Sequence, residues 1–166
     1  MGLVLGRPAA AHDTAMPATG GRRLAIGAAA LLSLVTAWVH FAYTESHFRE
    51  WWAYGLFFLV CALVQALWAP AFIRWPHPLL ALGAILGNLG VVGMYVWSRT
   101  IGVPIGPHAG VAEHTKLPDL ATTAGEILLV AVLLAMLPRR WTTILCNLVL
   151  LGGLALWAGR LTGYVP

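Results

Sequence analysis

Imidazole, carboxylate, guanidinium and phenol groups crowd into one short stretch of this chain. The stretch Phe41–Tyr54 reads FAYTESHFREWWAY, and His40 directly precedes it. Long apolar runs lie on both sides. Imidazole and carboxylate groups together are ligands for zinc, copper, manganese or non-haem iron. The stretch therefore indicates a metal site or an ion-pair network, and the alternative is a solvated turn at a membrane surface.

Helical spacing would bring several of these side chains together. If helical geometry persists here, His40, Tyr43 and His47 fall on one face at positions i, i+3 and i+7. Glu50 then follows His47 at i+3, and Tyr54 lies one turn further on. His40 is the most informative of them, because it stands at the edge of an apolar run and would be buried.

A second candidate residue is Glu126, which lies in the first turns of another apolar run. A carboxylate within a membrane span costs roughly 2 to 3.5 kcal/mol at the helix centre and less near an end, so it needs a partner. We expect that partner to be Arg99 or a histidine of the first stretch. The structural interpretation is a clamp between two helices, and the functional ones are a metal ligand or a proton-carrying carboxylate.

Two sets of residues follow as site predictions. The predicted ligands of a divalent metal (zinc, copper, iron or manganese) are His40, His47, Glu50 and Glu126. The side chains predicted to form a structural ion pair or a lid are Arg99, His108, Glu113, His114 and Asp119. No catalytic residue is assigned, because the chain has no GxSxG, HExxH or P-loop motif. An enzyme is therefore the less favoured class, and nothing selects a reaction.

The composition sets the solvent in which these groups work. The chain has 166 residues, of which 60% are hydrophobic and 10% are charged, whereas soluble domains carry about 25% charged residues. This is too little charge to cover a surface that faces water. We therefore expect a lipid bilayer to contact most of the protein surface as its partner. No basic run with interleaved aromatic residues occurs, which argues against nucleic-acid binding. Cys61 and Cys146 lie in apolar runs without CxxC spacing and are interpreted as small core hydrophobes.

Five apolar runs are long enough to cross a membrane, since about 20 helical residues cover the hydrocarbon core of about 30 Å. The predicted spans are residues 24–43, 53–73, 79–98, 121–137 and 141–158. Residues 1–21 are predicted to be a disordered cytoplasmic tail, and residues 22–166 a membrane bundle with an outer loop at 99–120. The expected fold is thus an all-α integral membrane helical bundle. A cleaved signal peptide is the disfavoured alternative for the first run, which is long and lacks a small-x-small cleavage site.

Basic residues predict the orientation of the bundle, with the N-terminus in the cytoplasm. Inner segments then hold six of the ten Lys and Arg residues, and Arg74 and the pair Arg139-Arg140 lie directly at inner helix ends. Five of the six acidic residues fall on or near the outer side. We therefore expect a multi-pass protein of the inner (plasma) membrane whose polar site faces outward.

Small and amide residues within the spans predict how helices pack. Gly83 and Gly87 are four residues apart, a spacing that lets another helix approach closely. That helix could belong to another membrane subunit or to a second copy of the chain. Gln65 and Asn88 are mid-span amides, which typically form hydrogen bonds between helices.

Two segments together resemble known proteins. They are HFAYTESHFREWWAYGLFF (His40 to Phe58) and WSRTIGVPIGP (Trp97 to Pro107), with Gly87-Asn88 upstream and Asp119 and Glu126 downstream. The chain resembles a group of small bacterial multi-pass membrane proteins of unassigned function over about residues 24–140. The resemblance implies a helical membrane bundle and supplies no activity, substrate or cofactor.

Three hypotheses for function remain open at this point. The first is a binding module whose outward-facing polar site holds a divalent metal. The second is an accessory subunit of a larger membrane complex, with the polar groups acting as ion-pair clamps. The third is proton-coupled movement of a small solute with Glu126 as the proton carrier. Distances between the candidate side chains discriminate among them, because a ligand cage or ion pair needs separations within about 4 Å.

Overall fold

The computed structural model describes residues 19–162, and this range contains five helices and no strand. They are α1 (Thr19–Glu50), α2 (Trp52–Arg74), α3 (Pro78–Thr100), α4 (Leu117–Met136) and α5 (Arg139–Leu161). Each is long and apolar enough to cross a membrane. The predicted all-α bundle of a membrane protein is confirmed. Most of the predicted N-terminal tail, residues 1–18, lies outside the described residues, and residues 19–21 belong to α1.

Helix α1 extends well beyond the predicted span. Its 32 residues measure about 48 Å at 1.5 Å per residue, more than the bilayer core of about 30 Å. The Thr44 hydroxyl donates to the His40 carbonyl at 2.8 Å, and Glu45 pairs with Arg49 one turn later. These local contacts keep the chain helical after the apolar run ends. The predicted connection to α2 shrinks to one extended residue, Trp51 (φ −163°, ψ 138°).

Helix α4 begins earlier than predicted, at Leu117, so the outer loop covers residues 101–116. Pro118 lies in the first turn, where its missing N–H costs nothing. Asp119 accepts a hydrogen bond from the Lys116 backbone N–H at 3.1 Å and so caps the helix start. Glu126 consequently lies about two and a half turns into the helix, deeper than its place in the apolar run indicates.

Successive helices run in opposite directions. α1 and α3 end where α2 and α4 begin, together with residues 101–116, and we call this the loop end. The other end, with the connections 75–77 and 137–138, is the turn end. α1 packs along α2 and against α4, α4 packs against α3, and α2 meets α3 less extensively. α5 joins through its first turns, where the Thr142 hydroxyl donates to the Leu134 carbonyl at 3.2 Å.

Apolar and polar side chains occupy different parts of the bundle interior. A buried apolar core lies toward the turn end and includes Phe72, Ile85, Leu129 and Leu133. Buried polar residues recur along one face of α1. They are Ser33, Thr36, His40 and Thr44. Their spacing of three to four residues places them on one face of the helix. The same spacing is visible in the sequence and indicates a polar helix face.

The prediction that the mid-span amides form hydrogen bonds between helices is confirmed. Gln65 Nε2 donates to Asn88 Oδ1 at 3.1 Å and joins α2 to α3. The Ser33 hydroxyl donates to the Gln65 backbone carbonyl at 2.8 Å, which ties α1 to the same point. Three helices are therefore held in register at mid-bundle by polar contacts that lipid cannot replace.

Close helix approach occurs at a different glycine from the one predicted. A Cβ added at Gly83 or Gly87 would meet no atom within 4 Å, so no described helix packs there. Within the described residues no helix of this chain makes the predicted approach, and an approach by another subunit or a second copy stays a prediction. At Gly55 a Cβ would lie 2.1 Å from the ring carbon Cγ of Phe48. Gly55 thus allows the start of α2 to pack closely against the end of α1. We call this tight connection at Trp51 the elbow.

Substituting alanine for Gly55 is expected to destabilise the fold by about 1 to 3 kcal/mol, because the Phe48 ring must leave its position. The measurement is reversible unfolding in mixed detergent micelles. Gly87→Ala is the matched control, since its added methyl meets open space and alanine favours a helix over glycine by about 1 kcal/mol. Equal effects of the two substitutions would show that the elbow contact is unimportant.

Candidate functional site

A cavity of about 270 Å³ lies at the loop end, between α1, α2, α3, α4 and the loop 101–116. It collects most of the titratable side chains that the sequence singled out. The predicted polar residues that line it are His40, Tyr43, His47, Glu50, Tyr54, Arg99, Glu113, Asp119 and Glu126. Helical geometry through the first stretch is the reason: it places His40, Tyr43, His47 and Glu50 on one face of α1.

The deep end of the cavity holds a buried pair. His40 Nε2 lies 3.0 Å from Glu126 Oε1, and the two residues are 4% and 1% exposed. The pair joins α1 to α4, so a histidine of the first stretch is the partner of Glu126, and Arg99 is not. A hydrogen bond shielded from water is electrostatically strong. Nδ1 of His40 has no hydrogen-bond partner within residues 19–162.

The second histidine of α1 is held by its own helix. His47 Nδ1 lies 2.8 Å from the Tyr43 carbonyl oxygen, to which an Nδ1–H donates. The imidazole also stacks on the Phe58 ring, with 3.6 Å between centroids and 18° between planes. Phe58 meets His40 as well, edge-on at 5.4 Å. One apolar ring therefore contacts both imidazoles.

The four predicted metal ligands do not converge on one point. Only His40 and Glu126 are in contact, while Glu50 Oε1 faces His108 Nε2 at 3.7 Å. Within the described range, no group of three or more His, Cys, Asp or Glu side chains could hold a metal ion. The predicted metal centre is therefore not formed, because Phe58 packs against both imidazoles and each carboxylate has a different neighbour.

Arg99 organises the mouth of the cavity. Its Nη2 donates to Asp119 Oδ2 at 2.7 Å, and its Nη1 donates to Glu113. The guanidinium carbon also lies 5.1 Å from the centre of the Tyr95 ring. These contacts join α3 to the loop and to the start of α4. Arg99, Glu113 and Asp119 thus form an ion-pair cluster of the kind expected from the sequence.

The loop 101–116 closes over the cavity through its backbone and apolar side chains. The Tyr54 hydroxyl donates to the Ile105 carbonyl at 2.9 Å, and Val103 and Ile105 line the cavity. Gly106 adopts φ +98°, and a Cβ there would lie 2.4 Å from the Tyr54 hydroxyl oxygen. Glycine is needed at this position because any other residue would be strained and would push the loop away from α2.

The two loop histidines are not part of the cavity lining. His108 is exposed and lies opposite Glu50, 3.7 Å from its carboxylate. The His114 side chain is exposed and forms no hydrogen bond with the described residues. The lid role predicted for these imidazoles is carried instead by Val103, which lines the cavity, and by the backbone at Ile105, which Tyr54 holds in place.

Aromatic rings form part of the walls of the cavity. The six rings that line it in addition to the imidazoles are Tyr43, Trp51, Tyr54, Phe57, Phe58 and Tyr95. Sequence reasoning did not assign Phe57, Phe58 or Tyr95 to the site. For Tyr95 a signal existed, since it precedes Arg99 by four residues and so shares its helix face. For the two phenylalanines nothing local distinguished them from lipid-facing residues.

Comparison of the chain with protein-family models, with curated proteins and with solved structures finds no match. The resemblance to small bacterial membrane proteins therefore stays a prediction.

Proposed function

We propose that this protein is a membrane-embedded binding protein that takes a small organic molecule into the loop-end cavity. The observation that carries the proposal is the cavity's construction, with aromatic walls and one buried hydrogen-bonding pair, His40 and Glu126, at its deep end. Ligand sites are typically lined by apolar and aromatic side chains with a few placed polar groups that fix orientation. The proposed ligand contacts the rings with its body and the pair with a polar group.

The volume of the cavity limits the size of the ligand. A dry cavity of about 150 Å³ binds benzene, so 270 Å³ corresponds to about eleven non-hydrogen atoms at the same packing. One ring with a short substituent fits this size. A larger molecule would need the loop 101–116 to move or part of its body to extend past Arg99.

The membrane setting supports the same proposal. The five helices supply a lipid-soluble surface, and the loop end places the cavity near one face of the bilayer. We propose that this is the outer face of the inner (plasma) membrane. Basic residues favour the cytoplasmic side, and the turn end, opposite the cavity, holds Arg22, Arg23, Arg74, Arg139 and Arg140. The ligand would then enter from the outer side of the membrane.

Filling the cavity tests the proposal. Ala53 lines the cavity on α2, and Ala53→Leu is expected to weaken binding of single-ring molecules about tenfold or more, because added bulk in a packed site costs about 1 to 3 kcal/mol. Ligand-detected NMR in lipid nanodiscs, with a panel of neutral, cationic and anionic probes, measures this. Ala66→Leu is the matched control, on the same helix and outside the lining. Binding that saturates for no probe, or that ignores Ala53→Leu, would reject the proposal.

A second candidate function is a subunit of a larger membrane complex. It is favoured by the four α3 glycines Gly83, Gly87, Gly90 and Gly93, whose added Cβ atoms would meet open space. α5 is also mostly exposed after its first turns. Native mass spectrometry of the protein released from its own membrane tests this candidate, and a lone monomer would count against it.

Proton-coupled transport with Glu126 as carrier receives less support than binding. The buried pair can be approached from the loop-end cavity, as a carrier requires. Toward the turn end, however, the described interior is filled by Phe72, Ile85, Leu129 and Leu133. A polar route that reaches from one end to the other is absent from the described part of the bundle, and this favours a site that binds from one side.

A further inference from the structure

We infer that the ligand of the loop-end cavity is an organic cation, a positively charged amine or quaternary ammonium group on an apolar body. This inference rests on the proposed binding function and specifies its ligand. Outside the buried His40–Glu126 pair, three carboxylates and one guanidinium line the cavity, which is a formal charge of −2 with His47 counted as neutral. A negative cavity of this kind concentrates cations and repels anions.

The single lining guanidinium is not available to an anionic ligand. Arg99 already donates to Glu113 and Asp119, and its side chain is 17% exposed. Among the carboxylates the least committed is Glu50, which is 38% exposed and has His108 at 3.7 Å as its nearest ionic neighbour. A charged group of a ligand can therefore form an ion pair with a carboxylate such as Glu50, but not with Arg99.

The aromatic walls favour the same ligand chemistry. The face of a Tyr, Trp or Phe ring attracts a cation through its quadrupole at distances within about 6 Å. One wall already makes this contact, since the Arg99 guanidinium lies 5.1 Å from the Tyr95 ring centre. Trp51 and Tyr54 stand edge to face with centroids 5.0 Å apart and form a corner of the cavity beside Glu50. An ammonium group in that corner would contact rings and a carboxylate together.

An unsatisfied atom at the deep end provides an independent observation. His40 lines the cavity and is 4% exposed, and its Nδ1 has no hydrogen-bond partner within the described residues. When Nε2 donates to Glu126, Nδ1 carries a lone pair. A buried acceptor without a partner is costly, and a positive group nearby would offset that cost. In this tautomer the deep end presents negative potential, as Glu50 does near the loop.

Three probes of about eleven non-hydrogen atoms, the size estimated from the benzene comparison, test the inference. Benzyltrimethylammonium is the cation, neopentylbenzene is its neutral counterpart with carbon in place of nitrogen, and phenylmethanesulfonate is the anion. Binding is measured by ligand-detected NMR in phosphatidylcholine nanodiscs, with empty nanodiscs correcting for partition into lipid. The cation is expected to bind about tenfold tighter than the neutral probe, and the anion weakest. Equal or tighter binding of the neutral probe or the anion would overturn the inference.

A matched pair of acidic residues assigns the effect to the cavity. Glu50→Gln is expected to weaken benzyltrimethylammonium binding about threefold to tenfold and to leave neopentylbenzene unchanged, because only charge is removed. Glu45→Gln is the control: Glu45 lies on the same helix end, pairs with Arg49 and is outside the lining. Added salt should weaken the cation alone. An unchanged cation affinity in Glu50→Gln would count against the inference.

The outcomes separate this inference from the proposal beneath it. If the neutral probe binds in an Ala53-dependent way and the cation gains no advantage, the cavity is a binding site and the cation inference is wrong. If no probe saturates, both fail. Retained binding of the neutral probe by Glu50→Gln shows that the variant is folded, so a loss confined to the cation supports the inference.

Discussion

Replacing His40 with leucine is expected to lower the free energy of unfolding by about 3 to 5 kcal/mol, because the carboxylate of Glu126 would remain buried without its partner. Glu126 is 1% exposed, and among the described residues its contact with His40 is the one hydrogen bond between side chains of α1 and α4. Reversible unfolding in mixed detergent micelles measures the loss. Amide exchange should rise in α1 and α4 together.

A double substitution separates the lost pair from lost packing. His40→Leu combined with Glu126→Leu is expected to recover most of the stability, since neither member of the pair then remains buried without its partner. His47→Leu serves as the control and should cost less than about 1 kcal/mol, because its imidazole forms hydrogen bonds only within its own helix, to the Tyr43 carbonyl and the Ser46 hydroxyl. Leucine keeps an apolar contact with the Phe58 ring in place of the stacked imidazole. Similar effects of His40→Leu and His47→Leu would contradict a stabilising role of the His40–Glu126 pair. So would a double variant as unstable as His40→Leu.

Arg99→Leu is expected to release the loop and the first turn of α4, at a cost of about 2 to 4 kcal/mol. Each hydrogen bond to a charged group contributes about 1.5 to 3 kcal/mol, and partial exposure of the cluster reduces the sum. The substitution would leave Glu113 and Asp119 close together without a cation. Amide exchange across residues 101–120 should rise strongly, and the cavity should lose its affinity for single-ring probes.

Arg49→Leu is the comparison that exposes the role of burial. Arg49 also pairs with a carboxylate, Glu45, but the two side chains are 76% and 79% exposed. Exposed pairs contribute about 0 to 1 kcal/mol because water screens them. Loop exchange should therefore be unaffected by Arg49→Leu. A comparable rise in exchange for the two variants would show that the cluster at Arg99 does not hold the loop.

Helix ends were the least predictable part of the fold. The apolar runs located every helix, because hydrophobic length is a local property that the bilayer fixes. They did not locate the end of α1 at Glu50 or the start of α4 at Leu117. The exposed Glu45–Arg49 pair lies in the last turns of α1, and Asp119 caps the start of α4. Polar residues outside the membrane core can continue or begin a helix without any hydrophobic signal.

The amino-acid sequence by itself determined that this is a membrane protein of five apolar helices, with five of its six acidic residues toward one end. It also indicated that Glu126 needs a buried partner and that helical spacing brings His40, Tyr43 and His47 onto one face. Amino-acid composition, the helical period of polar residues and the cost of burying a carboxylate are properties of single segments. They can therefore be estimated from the sequence without knowing how the segments pack.

Only the tertiary structure decided which groups meet. His40 and Glu126 are 86 positions apart, and their contact depends on how α1 and α4 are rotated and packed. The position of Phe58 against both imidazoles, and of Arg99 between Glu113 and Asp119, follows from the same packing. A periodic pattern assigns a side chain to a helix face, but the neighbour of that face is set by packing among helices. This packing produces the His40–Glu126 pair, the ion pairs of Arg99 and a cavity lined in part by aromatic rings, and it does not bring the predicted metal ligands together.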